Sequence, residues 1–205
     1  MRVFVKLCGI ARAPDLAAAL AAGPDAIGFV FWPGSPRAVT PEQVEPWTRD
    51  WPAGIARVGV FVDARPEDVA RAAETARLDI VQLHGREHPD RFRAPGRRVW
   101  LVRRLTEAPI AENGGGAPDA YVLDSASADR PGGTGIALDW SAAAASVRAA
   151  DRPVVLAGGL TPDNVAAALR QVRPWGADVS SGVESEPGRK DRARMMEFVR
   201  QCRNA

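Results

Sequence analysis

The chain has 205 residues, 46% of them hydrophobic, with 27 lysines and arginines against 25 aspartates and glutamates, a formal charge of +2. One domain over residues 1–205 follows from that length, and balanced, scattered charge argues against a nucleic-acid groove or a polybasic membrane face. The absence of an 18-residue apolar run, a first apolar run too short for a secretory signal, and two distant cysteines, Cys8 and Cys202, predict a reduced, cytoplasmic protein.

Eight short apolar runs cross the chain, and polar or small residues stand where each one stops. The first, 3–7, stops at Cys8-Gly9. Pro14 then opens a helix with Asp15 in its first turn, and Gly23 ends it. The second run, 26–31, leads to Ser35-Pro36-Arg37. Thr40 as N-cap with Pro41 at the first helical position starts the next helix, which Pro46 must shorten or kink. The third run, 58–62, ends at Asp63, and a helix runs from Arg65-Pro66-Glu67 to about residue 77. The fourth, 80–83, ends at His84-Gly85, with a short helix from Pro89 interrupted at Pro95-Gly96.

The fifth run, 99–102, ends at Arg103. Its crossover is the weakest, since 106–112 can hold about two turns before Gly114-Gly115-Gly116. The sixth, 121–123, ends at Asp124-Ser125 and precedes an Ala-rich helix over 138–150. The seventh, 154–157, runs into Gly158-Gly159, and Thr161 with Pro162 is expected to cap the helix after it. The eighth, Asp178-Val179, meets Ser180-Ser181-Gly182, and a helix over 191–202 ends the fold. Strands alternating with helices give a parallel sheet. Eight such units in one domain give a closed (β/α)8 TIM barrel, whose active site lies at the carboxyl ends of its strands.

The rim therefore gathers the polar residues. Gly158, Gly159, Ser181 and Gly182 offer backbone amides and hydroxyls after strands seven and eight, a phosphate cradle in this fold, or else only tight turns. Cys8 is either a small buried hydrophobe or a general base, if a nearby cation lowers its pKa. Asp124, across the barrel, is a general acid or a loop-bracing carboxylate. Arg37 offers a bidentate fork for a substrate carboxylate, or is a solvent-facing loop residue. His84 touches substrate or orients its loop. The Pro131-Gly132-Gly133-Thr134-Gly135 loop either folds over the site or is a surface turn, and Cys202 is read as structural.

Only two lysines occur, Lys6 and Lys190. Alternation along a strand puts Lys6 on the face of Cys8, so its ammonium enters the barrel and needs a partner. Strand eight lies beside strand one after closure, and Asp178 is the carboxylate available there. A Lys6–Asp178 pair is predicted.

Taken in order, these motifs resemble the phosphoribosylanthranilate isomerases of tryptophan biosynthesis. The matching stretches are Val5-Lys6-Leu7-Cys8-Gly9-Ile10, Gly28-Phe29-Val30-Phe31 with Ser35-Pro36-Arg37, Val58-Gly59-Val60-Phe61-Val62 and Val81-Gln82-Leu83-His84-Gly85. They continue through Leu123-Asp124, Gly132-Gly133-Thr134-Gly135 and Ala157-Gly158-Gly159-Leu160 to Asp178-Val179-Ser180-Ser181-Gly182-Val183-Glu184, Pro187-Gly188 and Lys190-Asp191. The resemblance implies an Amadori rearrangement of a phosphorylated sugar–anthranilate conjugate with no cofactor and no metal, by a monomer or a homodimer. It implies Asp124 as the acid that opens the furanose ring and Cys8 as the base at sugar C2. Arg37 would hold the anthranilate carboxylate, His84 would join the substrate-binding set, and Gly158, Gly159, Ser181 and Gly182 would bind the phosphate. Arg103-Arg104 depart from the pattern, where a lysine is expected. A histidine-biosynthesis isomerase would bring aspartates to the ends of strands one and five, but strand one ends in Cys8. A catalytically silent phosphate-binding barrel would have lost its acid or base.

Overall fold

Eight parallel strands pair in chain order and close on themselves: β1 Phe4–Cys8, β2 Ala26–Val30, β3 Ala56–Phe61, β4 Ile80–Leu83, β5 Arg98–Arg104, β6 Ala120–Asp124, β7 Val154–Leu156 and β8 Gly176–Val179. Closure is made by β8 lying against β1. The computed structural model describes residues 2–105, 116–124 and 139–205. The expected fifth crossover at 106–115, Ser125 and the Gly132–Gly135 loop (within 125–138) lie outside the described residues.

Among the described residues six α-helices follow in order: α1 Ala13–Ala22, α2 Pro41–Val44, α3 Pro66–Thr75, α4 Trp140–Ala149, α5 Val165–Val172 and α6 Arg192–Asn204. Their ends obey the expected chemistry at most positions. Gly23 ends α1 in the left-handed conformation, φ 69°, a state that suits a residue without a Cβ. Thr40 and Gln43 form a reciprocal capping box on α2, and Pro46 reduces its continuation to a tight turn over Glu45–Thr48. Asp139 accepts from the Ser141 and Ala142 amides at the head of α4, and Asp191 from Arg194 at the head of α6. The helix expected at Pro89 is a single turn, Pro89–Phe92.

Two expectations need correction. Thr161 and Pro162 do not begin α5; its N-cap is Asn164 and its first residue Val165. The Asn164 side chain accepts from the Thr161 amide at 2.8 Å and donates to the Gly159 carbonyl at 2.9 Å, which holds a separate turn before the helix. Between β8 and α6 the chain also makes a turn, Ser181–Val183, and a two-stranded hairpin, β9 Glu184–Glu186 with β10 Arg189–Lys190, that apolar patterning did not announce.

Strand alternation sorts the side chains. Val5, Leu7, Ile27, Phe29, Val81, Leu83, Leu123 and Leu156 pack outward in the larger core, with the helices. Ala26, Val58, Ile80, Trp100, Val122 and Val155 fill the barrel. Phe4 stacks on Trp175 at 4.4 Å and meets Trp100 edge-on at 5.7 Å, packing aromatic area at the amino-terminal end of the strands. No helix among the described residues is long and apolar enough to cross a membrane.

Lys6 stands inside the barrel, its side chain 0% exposed, and donates to Asp178 Oδ2 at 2.8 Å. The predicted pair is therefore present. Gly28 makes room for it: a Cβ at that position would lie 2.8 Å from Cys8 Sγ and 3.1 Å from Lys6 Cε. Burial pulls the Lys6 pKa down, but Asp178 and then Cys8 outweigh it and hold the ammonium above the ordinary lysine value. Asp178→Ala would leave a buried cation alone. Its unfolding free energy is expected to fall by about 3–5 kcal/mol, read from urea midpoints at neutral pH. An unchanged midpoint would mean that Lys6 does not depend on Asp178.

Candidate active site

At the carboxyl ends of the strands lies a cavity of about 530 Å³. Cys8, Arg37, His84, Asp124, Gly158, Gly159, Ser181 and Gly182, drawn from six different βα units, all line it. The barrel brings these eight positions together. Gln82, Asp178 and Trp32 line it too. Gln82 was legible in principle, since it shares a strand face with Ile80, an interior residue.

One end of the cavity is backbone. Gly158 and Gly159 follow β7 with φ of 82° and 66°, conformations that favour glycine. Among the described residues, neither amide donates to a protein acceptor. Gly182 presses on the same loop from β8, for a Cβ there would fall 1.9 Å from the Leu160 carbonyl oxygen. Close contact of these two loops, with free amides and the Ser181 hydroxyl beside them, suits a tetrahedral anion.

Cys8 ends β1 and is 7% exposed. Burial pushes its thiol above the ordinary range, and the nearby Lys6 ammonium only partly offsets this. The expectation that a neighbouring cation would lower the pKa is thus half met. The cation is there, but desolvation of a thiolate is the larger effect.

Asp124 ends β6 and is also 7% exposed. His84, the first residue after β4, brings Nε2 to 3.8 Å from Asp124 Oδ2, too long for a hydrogen bond. Nε2 has no hydrogen-bond partner among the described residues. Burial lowers the His84 pKa, with Arg104 and Lys6 adding to it against the pull of Asp124. The ring is therefore a neutral imidazole facing the cavity at neutral pH.

Arg37 is neither free nor solvent-facing. Its Nε and Nη2 donate to the two carboxylate oxygens of Glu184, each at 2.7 Å. The fork predicted for a substrate carboxylate is occupied along this edge by the protein's own carboxylate. The other edge, Nη1 with the second hydrogen of Nη2, remains for a ligand. Glu184 also accepts from Lys190 Nζ at 2.7 Å. The functional weight of Glu184 was missed from the residues alone, because it lies in the hairpin; both lysines prove to be fully buried ammonium groups in ion pairs.

Comparison with known proteins agrees with this geometry. A family model described as N-(5′-phosphoribosyl)anthranilate isomerase matches residues 5–201. A protein of that name from Magnetococcus marinus is 46% identical, over 100% of this chain and 97% of its own. Among solved structures, a phosphoribosyl anthranilate isomerase in complex with reduced 1-(o-carboxyphenylamino)-1-deoxyribulose 5-phosphate superposes with TM-score 0.82 and 32% identity, covering 99% of this chain and 100% of that one. A structure of mutually generated monomers of the dimeric Thermotoga maritima enzyme gives TM-score 0.81 and 32% identity at the same coverage.

The state of His84 is measurable. In an NMR titration of its ring the midpoint is expected below about 6.5, the unperturbed value. The unfolded chain then binds the extra proton first, so the neutral ring's stabilising contribution is complete above that pH and is lost as pH falls through it. A midpoint above 6.5 would mean that the Asp124 carboxylate outweighs burial.

Proposed function

The chain belongs to the N-(5′-phosphoribosyl)anthranilate isomerase family, and from that membership we propose which of its rim residues carry out the reaction. The enzyme converts N-(5′-phosphoribosyl)anthranilate to 1-(2-carboxyphenylamino)-1-deoxyribulose 5-phosphate, a step of tryptophan biosynthesis. One observation carries the assignment of roles. Cys8 and Asp124 open into a single cavity that the Gly158–Gly159 and Ser181–Gly182 loops and Arg37 also line.

The substrate has an anion at each end and a pentose between them. Its phosphate is held by the Gly158, Gly159 and Gly182 backbone with the Ser181 hydroxyl, and its carboxylate by Arg37 through Nη1 and Nη2. The sugar then lies between sulfur and carboxyl. Asp124 donates a proton to the ring oxygen as the C1–O bond breaks, and the nitrogen lone pair forms the C1=N bond of a protonated Schiff base. Cys8, as thiolate, removes the proton from C2. The released electron pair makes C1=C2, the C=N pair returns to nitrogen, and an enolamine results. Loss of the C2 hydroxyl proton and protonation at C1 yield the ketone. Carbon 2 is oxidised as carbon 1 is reduced, so the balance needs no external electron acceptor.

The proposed steps call for proton donation by Asp124 and a thiolate at Cys8. Lys6 beside the sulfur stabilises that thiolate, and the iminium charge formed by ring opening draws the C2 proton towards it. His84, a neutral ring lining the cavity, belongs to the substrate-binding set rather than carrying charge. Residues 1–205 act as one catalytic domain. All the roles are filled from one chain, so a monomer suffices for the chemistry, and a thiol that must stay reduced suits the cytoplasm.

Cys8→Ser is expected to lower kcat by about 10²–10⁴-fold with little change in KM, because a serine hydroxyl is a far weaker acid than a thiol. Substrate deuterated at C2 should then show a larger isotope effect than with the parent enzyme; turnover close to normal would remove Cys8 as base. Asp124→Asn should slow kcat by a similar factor while suppressing that isotope effect, since ring opening becomes limiting. A C2 isotope effect that persists in full would place the lost function of Asp124 after ring opening.

A further inference from the structure

The hairpin between β8 and α6 contributes no strand to the barrel, yet it holds a cluster of buried charges. Glu184 is 5% exposed at its side chain, Lys190 0% and Arg37 15%. Besides its bond to Glu184, Lys190 Nζ donates to the Ser180 carbonyl at 3.0 Å and to Ser180 Oγ at 3.4 Å. At the hairpin tip Gly188 has φ 82°, and a Cβ there would lie 2.8 Å from the Pro36 carbonyl oxygen, so the tip seats against the Arg37 loop. On the opposite side, a Cβ at Gly9 would meet Arg37 Cδ at 2.6 Å and Ser180 Oγ at 2.8 Å. The stem of Arg37 is thus packed by Gly9, just after β1, and its Nε edge is fixed by the hairpin.

Burying three charges is unfavourable unless each is matched, and here two cations share one carboxylate. The cluster keeps one unit of positive charge in excess, and Arg37, which lines the cavity, has its Nη1–Nη2 edge unused by Glu184. We propose that Glu184, braced by Lys190, is the positioning residue for Arg37: it fixes the guanidinium plane so that this edge meets the aromatic carboxylate of the substrate. Lys190 grips Ser180, immediately ahead of the turn bearing Ser181 and Gly182. The same hairpin therefore sets the distance between the carboxylate and phosphate ends of the site. This inference rests on Arg37 as the carboxylate holder, and its test separates the two.

The probes are two inhibitors, 1-(2-carboxyphenylamino)-1-deoxyribitol 5-phosphate and its twin lacking the carboxylate, whose Kd values are compared in each variant. Arg37→Ala is expected to weaken the carboxylated probe by about 10- to 100-fold, the range for a charge-assisted contact, and the twin by less than about 3-fold. Glu184→Ala is expected to weaken the carboxylated probe by about 10-fold, again sparing the twin. Glu184→Gln keeps one acceptor for Arg37 and should recover part of that loss. If Arg37→Ala affects both probes alike, Arg37 does not hold the carboxylate and the underlying reading falls. If Arg37→Ala discriminates but Glu184→Ala weakens both probes equally, or neither, Glu184 is a structural brace and the positioning role is overturned. Should Glu184→Ala fail to fold, Glu184→Gln decides: a selective loss of about 3-fold supports the role, and unchanged discrimination ends it.

Discussion

Lys6 and Asp178 are 172 positions apart in the chain and 2.8 Å apart in the barrel. Their contact exists only because β8 returns to β1, with Lys6 in register with Asp178. It fixes the part of the rim where the thiol stands. Cys8 lies two residues beyond Lys6 on the same face, and Gly28 on β2 leaves both side chains the space they need. Removing an ammonium from water is tolerable because the carboxylate shares its burial. The pair therefore serves closure and also bears on the thiol: Lys6 draws the Cys8 pKa down, while burial and Asp178 push it up.

The rim sorts its charges by what each must do. Charged and neutral donors lining the cavity, Arg37 and the glycine amides, suit anions. The same cavity holds a thiol raised by burial and an imidazole that burial keeps uncharged. Under the proposed roles, the anion-holding groups bind and the thiol and Asp124 exchange protons. Interactions realised only in the transition state then raise turnover, whereas those with the anions chiefly set affinity.

The glycines of the site act by different means. Gly158 and Gly159 adopt left-handed backbone, whereas at Gly182 and Gly28 the limit is space, a carbonyl in one case and a thiol in the other. Substituting any of them would disturb the site for a different reason. The hairpin after β8 adds a further layer, because it ties the loop carrying Arg37 to the loop carrying Ser181. Rigid support for first contacts with substrate is what separates a present site from a working one.

Much of this was readable in the chain itself. Periodic apolar runs, punctuated by Gly, Pro and capping residues, specify eight strands and place Cys8, His84, Asp124 and the glycine pairs at their carboxyl ends, because alternation and capping are local properties. The Lys6–Asp178 pair was also readable, since a buried lysine demands a carboxylate and closure leaves one candidate. Tertiary structure alone decided the rest. The Arg37–Glu184–Lys190 cluster joins loops distant in sequence, Asn164 delays α5 by bonding back to Gly159, and the rank of burial over Lys6 in setting the Cys8 thiol depends on how much solvent is excluded. Desolvation and contacts between loops are properties of the assembled surface, and no window of sequence contains them.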